Sequence, residues 1–181
     1  MVQLFNEKAF HIIFFLISIN QSSANDKIIY LDVNLLLSNS EAGKYINNEL
    51  QKINNINIEE FKKIEKSIKT DEENILKQKN MLKEEDYNLK IKDLKSKYNS
   101  YQNLKNSKNN ELNKVGDEAF NQVLKVINLI LADYSKENEI SLIIEKKNIV
   151  IGKIELDVTN DILNLLNKKI KKVELKKWQT N

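Results

Sequence analysis

The sequence contains no cysteine, no proline and no arginine, and it has only three glycines and one histidine. Without cysteine, disulfides and thiol chemistry are excluded. All 29 basic residues are lysines, so the chain lacks the planar guanidinium fork that binds a phosphate or a base through two hydrogen bonds. The one histidine, His11, lies in the N-terminal apolar stretch, where a catalytic or metal-binding role is implausible.

These absences argue against an enzyme. No glycine-rich phosphate loop is present, and the acidic runs Asp71-Glu72-Glu73 and Glu84-Glu85-Asp86 are adjacent in sequence, so they spread around a helix and do not converge on a metal. We therefore predict no enzymatic activity and no cofactor. A nucleic-acid partner is also disfavoured, because the net charge is only +3 and arginine is absent.

Residues 1–24 have the pattern of a secretory signal peptide. Lys8 precedes an apolar run from Ala9 to Ile19, and small residues stand before a cleavage point after Ala24. This run of about 11 residues is too short for a bilayer span, which needs about 20. We predict export and cleavage near Ala24, with an uncleaved anchor as the alternative.

The middle of the chain, residues 46–115, has the pattern of a long antiparallel helical hairpin, which we call the arm. We predict helices over residues 41–80 and 84–137, with the turn within 79–86. Apolar residues recur at heptad-like spacing in both halves. They are Ile46, Leu50, Ile53, Phe61, Ile64, Ile68, Ile75 and Leu82 in the first half, and Tyr87, Ile91, Leu94, Tyr98, Tyr101, Leu104, Leu112 and Val115 in the second.

Two positions break this pattern. The first stripe steps by three, four and four residues from Leu50 to Phe61, and Asn57 occupies a stripe position within that irregular step. Such an insertion locally unwinds a coiled coil. In the second helix, Gly116 is a candidate hinge, because glycine weakens a helix and the apolar face widens beyond it.

The segments on either side of the arm, 25–45 and 116–175, are predicted to form one small α/β body. Strands are predicted at 27–33, 141–145 and 149–151, because these short runs are rich in β-branched residues. The first two have no other partner, so the two ends of the chain must meet at the foot of the arm. The predicted class is α+β.

The local signals of this body are helix caps and one close contact. Ser40 and Thr159 are predicted N-caps, each followed by an acidic residue in the first helical turn. Gly43 is unusual inside a helix and indicates close backbone packing. Residues 176–181 are predicted to be a basic tail.

A sheet this small would leave apolar surface uncovered in a monomer, so we predict that the body mediates oligomerisation. The residues predicted to form this oligomerisation body are Ile28, Ile29, Tyr30, Leu31, Val33, Leu142, Ile143, Ile144 and Val150.

The order and spacing of four motifs resemble the Skp/OmpH family of periplasmic chaperones. They are Lys27–Val33 (KIIYLDV), Ser40–Lys44 (SEAGK), Ile140–Glu145 (ISLIIE) and Asp157–Asp161 (DVTND), around an arm of matching length. At the tip, where the family often has Leu-Ser-Glu-Glu, this chain has LKEE at 82–85, so the serine N-cap is missing.

This resemblance implies a homotrimer in which the small sheets assemble into a β-barrel-like core and three arms surround a cavity. Unfolded outer-membrane proteins would be held there without ATP, in the periplasm, which agrees with the N-terminal signal. The resemblance leaves open whether anionic lipid or lipopolysaccharide is a further partner.

The candidate client-binding residues lie on the second helix of the arm. Residues 87–115 contain seven lysines and two acids, a net charge of +5, which would attract acidic unfolded chains at long range. We predict client contacts from Lys90, Lys92, Lys95, Lys97, Tyr98, Tyr101 and Lys105. On the alternative interpretation of these residues, the aromatic and leucine stripe seals the two arm helices together and does not face a client. The alternative for the whole protein is a structural coiled-coil component of the envelope without client binding.

Overall fold

The computed structural model describes residues 26–175. In chain order the elements are β1 (Lys27–Leu31), α1 (Val33–Asn39), α2 (Glu41–Gln78), α3 (Glu84–Glu137), β2 (Ile140–Glu145) and α4 (Thr159–Lys169), with single 3₁₀ turns at Lys146–Asn148 and Ile154–Leu156. This combination of long helices and a small sheet confirms the α+β class. The predicted signal peptide (1–24) and basic tail (176–181) lie outside the described residues.

Helices α2 and α3 form the predicted hairpin. Helix α3 has 54 residues, about 80 Å at 1.5 Å per residue. Its two ends agree with the prediction, and α2 ends two residues earlier than expected. Lys83 precedes α3 without capping it by a side-chain hydrogen bond, as the missing serine at the tip led us to expect. Within residues 26–175, no helix is apolar enough over a sufficient length to cross a bilayer.

The start of α2 is fixed by its cap and by a close backbone contact. The Oγ atom of Ser40 accepts a hydrogen bond from the Gly43 amide at 3.0 Å, which confirms this predicted N-cap. A Cβ atom on Gly43 would lie only 1.6 Å from the Leu37 carbonyl oxygen. Only glycine therefore allows α1 to approach α2 this closely.

The sheet joins the two ends of the chain. Strand β1 pairs in parallel with β2, and Ile28, Ile29 and Tyr30 face Leu142, Ile143 and Ile144, respectively. On its other side, β1 accepts one hydrogen bond, from the Val158 amide to the Tyr30 carbonyl at 3.0 Å. In the described part of the chain, the outer edge of β2 has no partner.

The predicted third strand at 149–151 is wrong for the single chain. The segment follows the 3₁₀ turn at Lys146–Asn148 and pairs with no strand in residues 26–175. Val150 and Ile151 are almost fully exposed. The preference of β-branched residues for strands depends on a neighbouring sheet edge, and this segment does not reach one.

The core lies in the body, where the sheet packs against α1, α4 and the body-side ends of α2 and α3. Its fully buried side chains come from every one of these elements, and they include Ile29, Leu31, Leu36, Ile46, Val123, Ile127, Ile162 and Leu166. Helix α3 runs through Gly116 without a break, and a Cβ atom there would lie 3.1 Å from Cδ1 of Leu50. Gly116 thus lies against the end of the Leu50 side chain, and its role as a hinge stays a prediction.

Thr159 was predicted to be the N-cap of α4, but it is the first residue of that helix. Its Oγ1 accepts a hydrogen bond from the Asp32 amide at 3.0 Å, and its hydroxyl donates to the Asp157 carboxylate. The hydroxyl is thus engaged by partners outside the helix. Thr159 thereby connects the end of β1 to the start of α4, instead of satisfying the first amides of its own helix.

Candidate functional site

The seam is the line along which α2 and α3 contact each other in the arm. Its best-packed point is an edge-to-face contact between the rings of Phe61 and Tyr101, with centroids 6.1 Å apart. Tyr101 is only 5% exposed, and its hydroxyl donates to the Glu65 carboxylate. That hydrogen bond and burial raise the pKa of Tyr101.

This burial corrects one predicted client contact. Tyr101 belongs to the seam, and a bound chain cannot reach it while the two helices remain in contact. The alternative interpretation of the aromatic stripe, as a seal between the helices, holds at this position.

Three lysines of α3 bridge the seam to carboxylates of α2. Lys97 lies 2.5 Å from Asp71, Lys108 lies 2.5 Å from Glu60, and the looser pair of Lys105 with Glu65 is 3.8 Å apart. In every case the cation is on α3 and the anion on α2. The two more exposed pairs, those of Lys97 and Lys105, contribute about 0.2–1 kcal/mol each. Their larger effect is to reduce the positive charge that α3 presents to solvent.

The candidate client-binding residues therefore divide into two groups. Lys97 and Lys105 contact α2, and the Lys105 ammonium also lies 5.8 Å from the centre of the Phe61 ring. By contrast, Lys90, Lys92 and Lys95 are exposed, as is Tyr98.

The seam passes through Lys97 and not through Tyr98, which is 51% exposed, so the predicted stripe is wrong at that step. The apolar stem of a lysine can pack in such a seam while its ammonium reaches a carboxylate. A stripe predicted from apolar residues alone counts lysine as polar, and it therefore leaves out Lys97.

A polar layer interrupts the seam between Phe61 and the Leu50–Gly116 contact. Asn57 is 1% exposed, and neither polar atom of its side chain has a hydrogen-bond partner among the described residues. The Glu60–Lys108 pair lies on the same stretch of the arm, with the lysine side chain only 17% exposed. The irregular step in the first stripe marks this place in the sequence.

The sequence pattern missed the accessible apolar surface of the arm, because those residues lie between the stripe positions. Leu76, Met81 and Leu89 surround the tip and are more than half exposed. The side of the arm has a shallow groove of about 320 Å³. Residues of both helices line it: Asp71, Asn74, Ile75, Gln78, Lys90, Asp93, Leu94 and Lys97. The arm thus presents separate apolar and charged contacts.

The residues predicted for oligomerisation also divide into two groups. Ile29, Tyr30 and Leu31 are buried within the single chain, and Val33, Ile143 and Ile144 are partly buried. The remaining three are exposed, together with two residues that were not predicted. This exposed apolar set is Ile28, Leu142, Val150, Ile151 and Ile154.

A network around Asp157 holds the loop beside this set. Its carboxylate accepts hydrogen bonds from Lys146 Nζ at 2.7 Å and from the Thr159 amide at 3.0 Å. Burial alone would raise the pKa of Asp157, but the hydrogen bonds from Lys146 and Thr159 outweigh burial and lower it. The hydroxyl of Tyr30 donates to the Lys153 carbonyl at 3.1 Å, which holds the other side of the loop.

The architecture is that of a small α/β body carrying one long helical arm. The sequence profile described as Outer membrane protein (OmpH-like) matches residues 27–166, and the chain therefore belongs to the OmpH-like family. In structure it is similar to an OmpH-like protein from Caulobacter crescentus CB15. The TM-score is 0.74 at 13% identity, over 86% of this chain and 94% of that chain. This likeness confirms the fold, and no curated protein matches the chain in sequence.

Proposed function

We propose that this protein is an ATP-independent holdase chaperone of the periplasm that binds unfolded outer-membrane proteins and prevents their aggregation. The observation that supports this most is the surface of the arm. Its seam is closed by its own contacts, while Lys90, Lys92, Lys95 and several apolar side chains remain exposed. The Caulobacter crescentus protein of similar fold is described as an outer membrane chaperone, which is consistent with this role.

The proposed mechanism combines attraction at long range with many weak contacts. The excess positive charge of residues 87–115 raises the local concentration of acidic unfolded chains, and salt weakens this effect. At short range Tyr98, Leu89 and Met81 offer apolar contacts that are not arranged as one pocket. Such contacts retain a disordered chain without imposing a structure on it.

We further propose a homotrimer assembled through the body. The exposed apolar set and the free outer edge of β2 both lie there, and a solvent-exposed strand edge favours pairing with another chain. Three copies would place three arms around one cavity. Light scattering on the purified mature chain tests this, and a monomeric mass at micromolar concentration would exclude the trimer.

The decisive experiment follows the aggregation of an unfolded outer-membrane barrel protein diluted from urea, with and without the mature chain and with no ATP. We expect suppression at about one trimer per client, weakened at high salt. Unchanged aggregation would refute the holdase function. It would favour the structural coiled-coil alternative.

A matched pair of variants tests the role of charge. Replacing Lys90, Lys92 and Lys95 by Glu reverses three exposed charges on α3, whereas replacing Lys63, Lys66 and Lys69 by Glu makes the same change on α2. We expect the α3 variant to lose most of the salt-sensitive suppression and the α2 variant to retain it. Equal losses would mean that only total charge matters.

A further inference from the structure

The chain continues beyond α4 into six described residues, 170–175, that form no helix or strand. The family match ends at residue 166, before this segment begins. Helix α4 stops at Lys169, and Ile170 has an extended backbone, with φ of −147° and ψ of 132°. From there the segment runs beside the body-side ends of α2 and α3.

The segment contacts both long helices. On α2, the ammonium of Lys171 lies 3.2 Å from the Glu41 carboxylate, and that of Lys172 lies 5.6 Å from the centre of the Tyr45 ring. On α3, the side-chain amide of Gln122 donates to the Glu174 carbonyl at 2.9 Å. On both helices these contacts lie at the level of the body core, beside Ala42 and Ile46 of α2 and Val123 of α3.

Apolar burial holds the segment in place. Val173 is only 7% exposed and belongs to the core, and Ile170 and Leu175 pack against that core. The lysine contacts are exposed, so we expect them to contribute less than the burial of Val173. Immediately before the segment, Asn167 Oδ1 accepts a hydrogen bond from the Glu41 amide at 2.8 Å, which satisfies an amide in the first turn of α2.

We propose that residues 170–175 form a clasp that holds α2 against α3 at the body-side ends of the two helices. Both ends pack in the core, whereas beyond the core the helices are joined only by the thin seam and the turn at the tip. A segment anchored in that core and in contact with both helices restricts their separation at the body side. The clasp thereby fixes the direction of the arm, whether or not the arm binds clients.

Two truncations test the clasp by hydrogen exchange of the full-length mature protein and its shortened forms. One ends at Lys169 and removes the clasp, and the control ends at Leu175 and removes only residues 176–181. We expect the first truncation to speed amide exchange on the order of tenfold in residues 41–50 and 116–127. The distal arm, residues 61–101, and the control protein should show no change.

A point variant covers the case in which the shorter protein does not fold. Val173→Ala in the full chain should speed exchange in the same two segments by a smaller factor, whereas Glu174→Ala, which keeps the backbone carbonyl, should not. Unchanged exchange in 41–50 and 116–127 for Val173→Ala would overturn the proposal. So would acceleration spread evenly over the sheet and α4, because the segment would then only add to general core stability.

Discussion

Helix α3 passes through two environments, the packed core of the body and the thin seam of the arm. On the body side, Ala119, Val123, Ile127 and Ile130 are all buried, at spacings of four, four and three residues. On the arm side, over residues 84–115, only Tyr101 and Val115 are buried. The body half is held by packing, whereas the arm half depends on a thin seam, ion pairs and intrinsic helix propensity. Stability and accessible binding surface are thus assigned to different parts of the same helix.

The largest expected effect comes from replacing isoleucine by alanine in the body core, and the same replacement in the arm seam serves as the comparison. Ile127→Ala removes a buried side chain from the core and should lower the free energy of unfolding by about 2–5 kcal/mol. Ile91→Ala removes a half-buried side chain from the arm seam and should lower it by less than about 1.5 kcal/mol. Urea denaturation followed by circular dichroism measures both. Equal effects would mean that the arm has a core as well packed as that of the body.

The second comparison uses the two glycines of the long helices. Gly43→Ala should destabilise the protein by about 3 kcal/mol or more, because the new Cβ meets the backbone oxygen of Leu37. Gly116→Ala meets only the mobile end of the Leu50 side chain, and the gain in helix propensity is worth up to about 1 kcal/mol. In thermal melting, the melting temperature should therefore fall strongly for Gly43→Ala and change little or rise for Gly116→Ala. A large loss for Gly116→Ala would show that this position needs the conformational freedom of a hinge.

The third prediction concerns the polar layer of the arm. Asn57→Leu replaces a buried amide without hydrogen-bond partners by an apolar side chain of similar size, and should stabilise the arm by about 1–3 kcal/mol. The control, Asn55→Leu, is exposed on the same helix and should change little. Hydrogen exchange over residues 50–64 and 101–115 reports the effect. Faster exchange in Asn57→Leu would show that the amide is satisfied in solution, for instance by water.

The smallest expected effect is a pH dependence confined to the body. The pKa of Asp157 is lowered from its ordinary value of 3.8, so its ionised form stabilises the folded state. That contribution is complete above the unfolded pKa and is lost as the pH falls through the folded value. As the pH falls below about 5, we expect the unfolding free energy to decrease less in Asp157→Asn than in the native protein. If the unfolding free energies of the two proteins fell in parallel as the pH decreased, Asp157 would not be the cause of the pH dependence.

Much of this contrast could be predicted from the sequence, because helix signals are local. The ends of α3 follow from its acidic first turn and from the polar residues at 136–139, and the Ser40 cap follows from the residues beside it. The wide apolar face beyond Gly116 and the narrow stripe before it indicate the two environments directly.

The errors arose where a partner distant in sequence decides the outcome. Thr159 looks like a cap until the Asp32 amide is placed beside its hydroxyl. The segment 149–151 has the composition of a strand, but no described sheet edge receives it. Lys97 occupies a seam position because Asp71 lies opposite, on the other helix. None of these contacts has a signal in the neighbouring residues.

The parallel pairing of β1 with β2 has a consequence for how the chain acquires its structure. The arm lies between the two strands in sequence, so β1 cannot find its partner until nearly all of the chain has been made. The hairpin can form earlier from contacts that are closer in sequence, whereas the sheet and its core must wait for a long loop to close. A chain that is made and exported from its N-terminus would thus expose the apolar β1 for most of that time. We therefore expect the body to be the last part of the molecule to form.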